Sequence, residues 1–201
     1  MDREIRDFWD KRFGQEGYAY GTEPNVFFKS VIDKMPPGRI FVPGAGEGRD
    51  AVYAATLGWE VFCADLSASG KKKAESLATE KNVTLDYQVI NINDIQFPDN
   101  YFDVIASVYF HLPTEVRKPF FANVSRWLKP GGTFINELFT PAQLANNSGG
   151  PKDEDMLMTV EKFESELKGL TTVTSQECEV DLNEGSYHRG KANVVRFIAV
   201  K

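Results

Sequence analysis

From Arg39 to Leu138 the chain alternates short apolar runs with stretches of helical spacing. The strand-like runs are Arg39 to Val42, Val61 to Ala64, Leu85 to Ile90, Val104 to Val108 and Thr133 to Leu138. Between them lie three helical stretches. Asp50 to Leu57 is closed by Gly58, Ala68 to Lys81 carries Ala74, Leu77 and Ala78, and Thr114 to Leu128 is stopped by Lys129-Pro130-Gly131-Gly132. Strands joined through helices pair in parallel, because the crossover returns the chain to the edge it left. The rhythm therefore predicts an α/β fold, a mostly parallel sheet with helices on both faces.

The pattern changes after Pro141. Glu161 to Lys168 has helical spacing, and Thr171 to Leu182 and Ala192 to Val200 read as strands separated by the loop Asn183 to Lys191. Neighbouring strands of this kind predict an antiparallel C-terminal hairpin that brings the sheet to seven strands. With no internal repeat, residues 1–201 are expected to form one domain: 1–38 an N-terminal helix and lid segment, 39–201 the core. Phe13 to Asn25 and Pro141 to Asp155, rich in Gly, Asn or Pro, are the expected lids.

Composition narrows the partners. A net charge of −6 offers no electropositive track for a phosphate backbone, so nucleic acid is not expected to bind. The basic run Lys71 to Lys73 reads as a solvated helix face. Cys63 and Cys178 have neither metal nor redox spacing, and no metal is expected. The opening Met1 to Asp10 is charged, unlike a secretory signal, and no apolar run approaches the ~20 residues that cross a bilayer. A cytoplasmic protein with no membrane partner is the expectation; oligomeric state is not legible.

The strongest local signal is Val42-Pro43-Gly44-Ala45-Gly46-Glu47-Gly48-Arg49-Asp50, between the first strand and its helix. Glycines there let the backbone approach a ligand closely at the carboxyl edge of the sheet. Asp65 ends the second strand about twenty residues on, where a carboxylate accepts from ribose hydroxyls. Asn91 ends the third strand and Asp103 opens the fourth. A nicotinamide-type turn calls for a third glycine where Arg49 stands.

The order of these pieces resembles the class I methyltransferases, which bind S-adenosylmethionine on a Rossmann-like fold. The resemblance covers nearly the whole chain from Arg39 and includes the turn Leu128 to Gly132. It implies that Gly44, Ala45, Gly46 and Gly48 meet the methionine part, Asp65 with Leu66 the ribose, and Asn91 with Ile92 the adenine. The family's usual acid two residues before the first glycine is Val42 here, so Arg49 with Asp50, or a group from the N-terminal segment, is expected at the amino-acid end of the cofactor. Ser107, late in the fourth strand, joins the cofactor set.

The aromatic segment containing Phe8, Trp9, Phe13, Tyr18 and Tyr20 is similar to small-molecule thiol methyltransferases, and implies that Trp9 and Tyr20 shield the substrate. Asn183-Glu184-Gly185-Ser186-Tyr187-His188-Arg189, leading to Arg196, resembles the tellurite-resistance methyltransferases. That likeness implies His188, Arg189 and Arg196 near the acceptor. His111 after the fourth strand is a candidate proton acceptor or a helix cap, and Glu137 at the end of the fifth a candidate substrate residue. The alternating register at Arg196 also permits a solvent-facing side chain. The function implied is methyl transfer to a small molecule, a thiol or chalcogen oxyanion. Its rivals are O- or N-methylation by the same fold and a non-catalytic, S-adenosylmethionine-binding regulatory protein.

Overall fold

A computed structural model describes residues 2–201; the first residue of the charged opening lies outside them. Seven strands form one sheet, with β1 (Arg39–Pro43), β2 (Glu60–Asp65), β3 (Asp86–Val89), β4 (Phe102–Val108), β5 (Leu128–Phe139), β6 (Thr171–Glu184) and β7 (His188–Val200) in the order β3-β2-β1-β4-β5-β7-β6. The first five run parallel, and β7 pairs antiparallel with both β5 and β6. The strand order reverses direction between β1 and β4, which opens a crevice at the carboxyl edge. This is the Rossmann-like architecture that the rhythm of the sequence predicts.

Alternation along the strands gives the sheet two apolar faces. Ile40, Val42, Val104 and Ile135 pack under α2 (Val26–Ile32), α3 (Arg49–Thr56) and α4 (Ala68–Glu80) through Phe28, Ile32, Ala51, Ala54 and Ala74. Phe41, Ile105, Phe134 and Phe197 pack under α5 (Thr114–Trp127) and α6 (Val160–Glu166) through Phe121, Val124, Trp127 and Phe163. Each of these strand residues is no more than 4% exposed, so helices cover both faces. The N-terminal helix α1 (Asp2–Phe13) docks on α4, where Asp10 accepts from Ser67 Oγ at 2.6 Å and from the Ser69 amide at 3.0 Å.

The elements differ from expectation in three places. The turn Lys129 to Gly132 does not separate helix from strand. Leu128 pairs with Phe102, the register then shifts, and Gly131 at φ +80° keeps the chain in β5. Helix α2 is unexpected: Asn25 caps it by accepting from the Phe28 amide at 2.9 Å. The loop expected over Asn183 to Lys191 shrinks to residues 185–187, because β6 and β7 stay paired out to Glu184↔His188.

That extra pairing positions the site. β5 ends at Phe139↔Val194, so the hairpin beyond this point projects past the carboxyl edge as a two-stranded arm. Two strands alone are marginally stable. The N-terminal segment supports the tip: the Ser186 and Tyr187 amides donate to Ala19 O at 2.9 and 3.4 Å, and Tyr187 Oη to Gln15 Oε1 at 3.0 Å. Between β5 and α6 the chain makes short 3-10 turns at Pro141–Ala145 and Glu154–Met156. Buried Gln143 donates to Ser148 Oγ at 2.9 Å and Gly149 O at 3.0 Å, and accepts from the Asn193 amide at 2.9 Å. The segment expected as a flap is thereby fastened to the arm.

Arg117 on α5 is 2% exposed and holds this side together. Its guanidinium takes Glu166 through two bonds of 2.7 and 3.0 Å and donates to Leu112 O at 2.8 Å and Asp155 O at 2.7 Å. Arg117→Met leaves Glu166 without its cation and two carbonyls without donors. Urea unfolding should show a loss of about 3–5 kcal/mol, the range for removing one partner of a buried pair.

Candidate active site

The left half of the carboxyl edge is built around the glycine turn. Gly44, Gly46 and Gly48 have φ of +62°, +52° and +87°. A Cβ at Gly44 would overlap the Phe110 ring, and one at Gly48 would stand 2.5 Å from Ala74 on α4. Only glycine allows this backbone and this packing. The turn is tied to β2, since the Ala45 amide donates to Ala64 O at 3.1 Å and the Gly46 amide to Asp65 Oδ2 at 3.0 Å. Asp65 Oδ1 accepts from the Ser67 amide at 2.9 Å. Burial pushes its carboxyl up, against the lowering pull of these amides.

Leu66 follows Asp65, and Asn91 and Ile92 form the turn after β3, where Asn91 Oδ1 accepts from the Asn93 amide at 2.9 Å. Ser107 is buried within β4. Three left-handed glycines, a carboxylate and a polar turn on one edge fit an adenosyl group: acceptor for the ribose diol, hydrogen-bonding atoms for the adenine.

The right half is a polar and aromatic cluster at the ends of β4 and β5 and under the arm. Glu137 is 1% exposed and accepts from Asn25 Nδ2 at 2.6 Å, Tyr109 Oη at 2.9 Å and Arg196 Nε at 2.6 Å. Glu184 on the arm accepts from Arg49 at 3.0 Å, His188 Nδ1 at 3.1 Å and Asn25 Nδ2 at 3.3 Å. Against the upward push of burial, His188 and Arg49 hold its carboxyl below the usual glutamate range. Burial also holds the His188 imidazole down, although Glu184 opposes it. The His188 ring lies 4.5 Å from Tyr20, 4.7 Å from Tyr109 and 5.4 Å from Phe139, centre to centre.

His111 stacks on Phe139 at 5.5 Å, and its Nδ1 lies 3.0 Å from Met156 O. A carbonyl only accepts, so Nδ1 carries the proton and Nε2 presents a lone pair. That Nε2 is buried without a hydrogen-bond partner, which costs about 1–3 kcal/mol in a folded protein. Desolvation lowers the imidazole to about 4, so it is neutral at physiological pH.

The structure sorts the expected site residues unevenly. Tyr20, His111, Glu137, His188 and Arg196 converge on the cluster. Arg196, expected either at the acceptor or in water, is instead paired with Glu137 and lies over the Phe27 ring at 5.1 Å. Arg49, expected at the amino-acid end of the cofactor, donates to Tyr20 O at 3.1 Å and to Glu184. Arg189 is exposed and folds back on Gly185 O at 2.7 Å, because the hairpin register directs it outward where it directs His188 inward. Trp9 stacks on Phe13 at 5.2 Å along α1 and makes no ring contact with the cluster.

Sequence reading passed over Asn25, Tyr109 and Glu184. Pro24 before Asn25 and an apolar run after it form a helix-start signature that was there to be found. Tyr109 has φ +51°, unusual for an aromatic residue, and nothing in its sequence context announces it.

Comparison with known proteins agrees with this geometry. Residues 42–136 match the family model described as a methyltransferase domain. The match covers just under half of the chain and takes in the glycine turn, Asp65 and Asn91, and the fold is the Rossmann-like fold of the S-adenosylmethionine-dependent methyltransferases. Phosphoethanolamine N-methyltransferase 3 of Arabidopsis thaliana is 29% identical over 130 residues, 63% of this chain; the match spans only 26% of that relative's length. Among solved structures, the one reported for conversion of a disulfide bond into a thioacetal group during echinomycin biosynthesis aligns at TM-score 0.80 and 13% identity, covering 98% of this chain and 91% of that one. TehB from Haemophilus influenzae aligns at 0.71 and 17% identity, covering 98% and 66%.

Two predictions follow from the two halves of the edge. Asp65→Ala, if folded, should weaken binding of S-adenosylhomocysteine by about 1.5–3 kcal/mol in calorimetry, the worth of hydrogen bonds to a charged acceptor. The second concerns acid stability. His111 titrates near 6.5 when unfolded and at about 4 when folded, so the unfolded chain binds more protons between these values. Stability is lost as pH falls through this window, by up to about 3 kcal/mol from this residue. His111→Phe should give a flatter dependence of the urea midpoint on pH between about 7 and about 4.5.

Proposed function

We propose that the protein transfers a methyl group from S-adenosylmethionine to a small molecule, and that the acceptor atom is the sulfur of a thiol. When bound, the cofactor supplies an electrophilic methyl on a sulfonium. Gly44, Gly46, Asp65 and the Asn91 turn hold it on the left half of the edge. Tyr20, Tyr109, Phe139 and His188 enclose the acceptor on the right half, where polarisable rings suit sulfur. On this reading residues 1–201 work as one domain, with 1–38 covering the site.

The observation that carries the reading is His111 Nε2, a buried lone pair with no partner in the protein. A protic acceptor donates to it, and the proton released on methylation has a place to go. Tyr109 supports the same reading, because a left-handed aromatic residue at the end of β4 is the kind of strained position found at functional sites. Methylation at nitrogen is the second reading. It is favoured by the carboxylates of buried Glu137 and half-buried Glu184, which suit an amine, and by the N-methyltransferase relative.

A product screen with isotopically methyl-labelled cofactor tests both against alkanethiols, anilines, phenols, selenite and tellurite. Labelled thioether is the expected product, and labelled N-methyl product from the amines alone would select the second reading. Binding of S-adenosylhomocysteine with no methylated product from any acceptor would favour a regulatory protein. His111→Ala should lower kcat/KM for the accepted substrate by about tenfold to a hundredfold while leaving cofactor affinity within about twofold.

A further inference from the structure

We infer that the right-hand cluster takes its acceptor uncharged, as a hydrogen-bond donor to His111 Nε2, and turns anions away. The inference rests on the methyl-transfer reading and fixes the charge of its substrate.

The first support is the state of the cations. Arg49 is paired with Glu184 and Arg196 with Glu137, at 3.0 and 2.6 Å. Lys73, nearer the glycine turn, is paired with Glu47 at 2.7 Å. Arg12 reaches the cluster only through Tyr20 Oη, at 2.9 Å, and lies over the Tyr187 ring at 4.1 Å. Arg189, the cation expected to draw in an anionic nucleophile, is exposed and bonded to Gly185 O. Arg12 and Arg189 have no carboxylate partner among the described residues, but the contacts of Arg12 are with Tyr20 and the rings of Phe8, Trp9 and Tyr187, and that of Arg189 is with Gly185, none of them with His111.

The second support is the charge that remains. Asp50 is buried beside the two pairs and accepts from the Asn25 amide at 2.7 Å. With Glu137 and Glu184 it gives three carboxylates in direct contact with two guanidiniums, those of Arg49 and Arg196, while Arg12 stands beyond Tyr20. Two imidazoles that burial keeps neutral add nothing. When Asp50 is ionised, the groups in direct contact carry an excess of negative charge, which complements the sulfonium of a bound cofactor and disfavours an anionic acceptor beside them. Burying a charge without a partner is strongly unfavourable, whereas a neutral X–H group meets a lone pair that already lacks a donor.

The third support is enclosure. Tyr20, on the N-terminal segment, and Phe139 and His188 close on one another, and Gly149 and Gly150 press against His188 and Phe139 so closely that a Cβ at either would clash. The Ser186 and Tyr187 amides donate to Ala19 O and hold the N-terminal segment against the arm. Enclosure removes the solvent that an anion would otherwise keep.

The test uses the full chain, with ¹⁵N-labelled histidine, saturated with S-adenosylhomocysteine. 2-Mercaptoethanol, aniline and selenite are titrated separately while the ¹⁵N shift of His111 Nε2 is followed. The expected result is a saturable upfield movement with the thiol, with aniline, or with both, and no saturable change with selenite. Which neutral probe saturates separates sulfur from nitrogen acceptors. His111→Gln should weaken the responding probe by about tenfold or more, with the cofactor product still bound. Three results would overturn the inference: selenite saturating the site, a neutral probe saturating it without moving Nε2, or no probe binding to the loaded protein. Failure to bind S-adenosylhomocysteine at all would instead remove the methyl-transfer reading on which the inference stands.

Discussion

Four parts of the chain meet at Asn25. Its backbone amide donates to Asp50 at the start of α3, its Nδ2 to Glu137 at the end of β5 and Glu184 on the arm, and its Oδ1 accepts from Phe28 to start α2. Three of these partners are buried or nearly buried carboxylates, and a carboxylate withdrawn from water survives charged only while donors replace the hydration it has lost. The N-terminal segment is therefore more than a cover laid on a finished site. It brings a donor on which the charge state of the site depends. Glu47 repeats the arrangement nearer the glycine turn, accepting from the Ala19 amide and Lys73, both at 2.7 Å.

From this constraint follows the division of the carboxyl edge. Left of the switch between β1 and β4, polar contacts come from backbone amides and one carboxylate, and the shape is set by glycines that no other residue can replace. Right of it, side chains do the work, and nearly every charge is already matched. The left half suits a ligand of fixed chemistry, held by the main chain. The right half is a surface of rings and internal pairs, beside which His111 presents a lone pair without a partner. Tyr109 joins the halves: it leaves β4 in a left-handed conformation and turns its hydroxyl to Glu137.

Much of this architecture can be read from the chain without coordinates. Periodicity of apolar residues gives the five parallel strands and their helices, because burial on two faces leaves a strong mark on sequence. The glycine turn and Asp65 are equally legible, since their backbone geometry admits few residue types. The pairings are not. His188 and Arg189 are adjacent in sequence, and only the register of the arm puts one inside and the other outside. Arg49 and Arg196 look like free cations in a string of letters. Their partners Glu184 and Glu137 lie 135 and 59 residues away, and no local pattern encodes such a meeting.

The arm and the N-terminal segment have a consequence for the order in which the molecule is made. Gln15 touches Tyr187 across 172 residues and Asn25 touches Glu184 across 159, whereas the parallel strands need only their neighbours in sequence or the next crossover. Contacts closing so large a loop are among the slowest to form, and on a ribosome they must wait for the final hairpin to emerge. The glycine turn can take shape on a nascent chain well before the cluster under the arm exists. The left half of the edge is thus in place before the right half during synthesis, and a chain interrupted ahead of β6 lacks Glu184, His188 and Arg196.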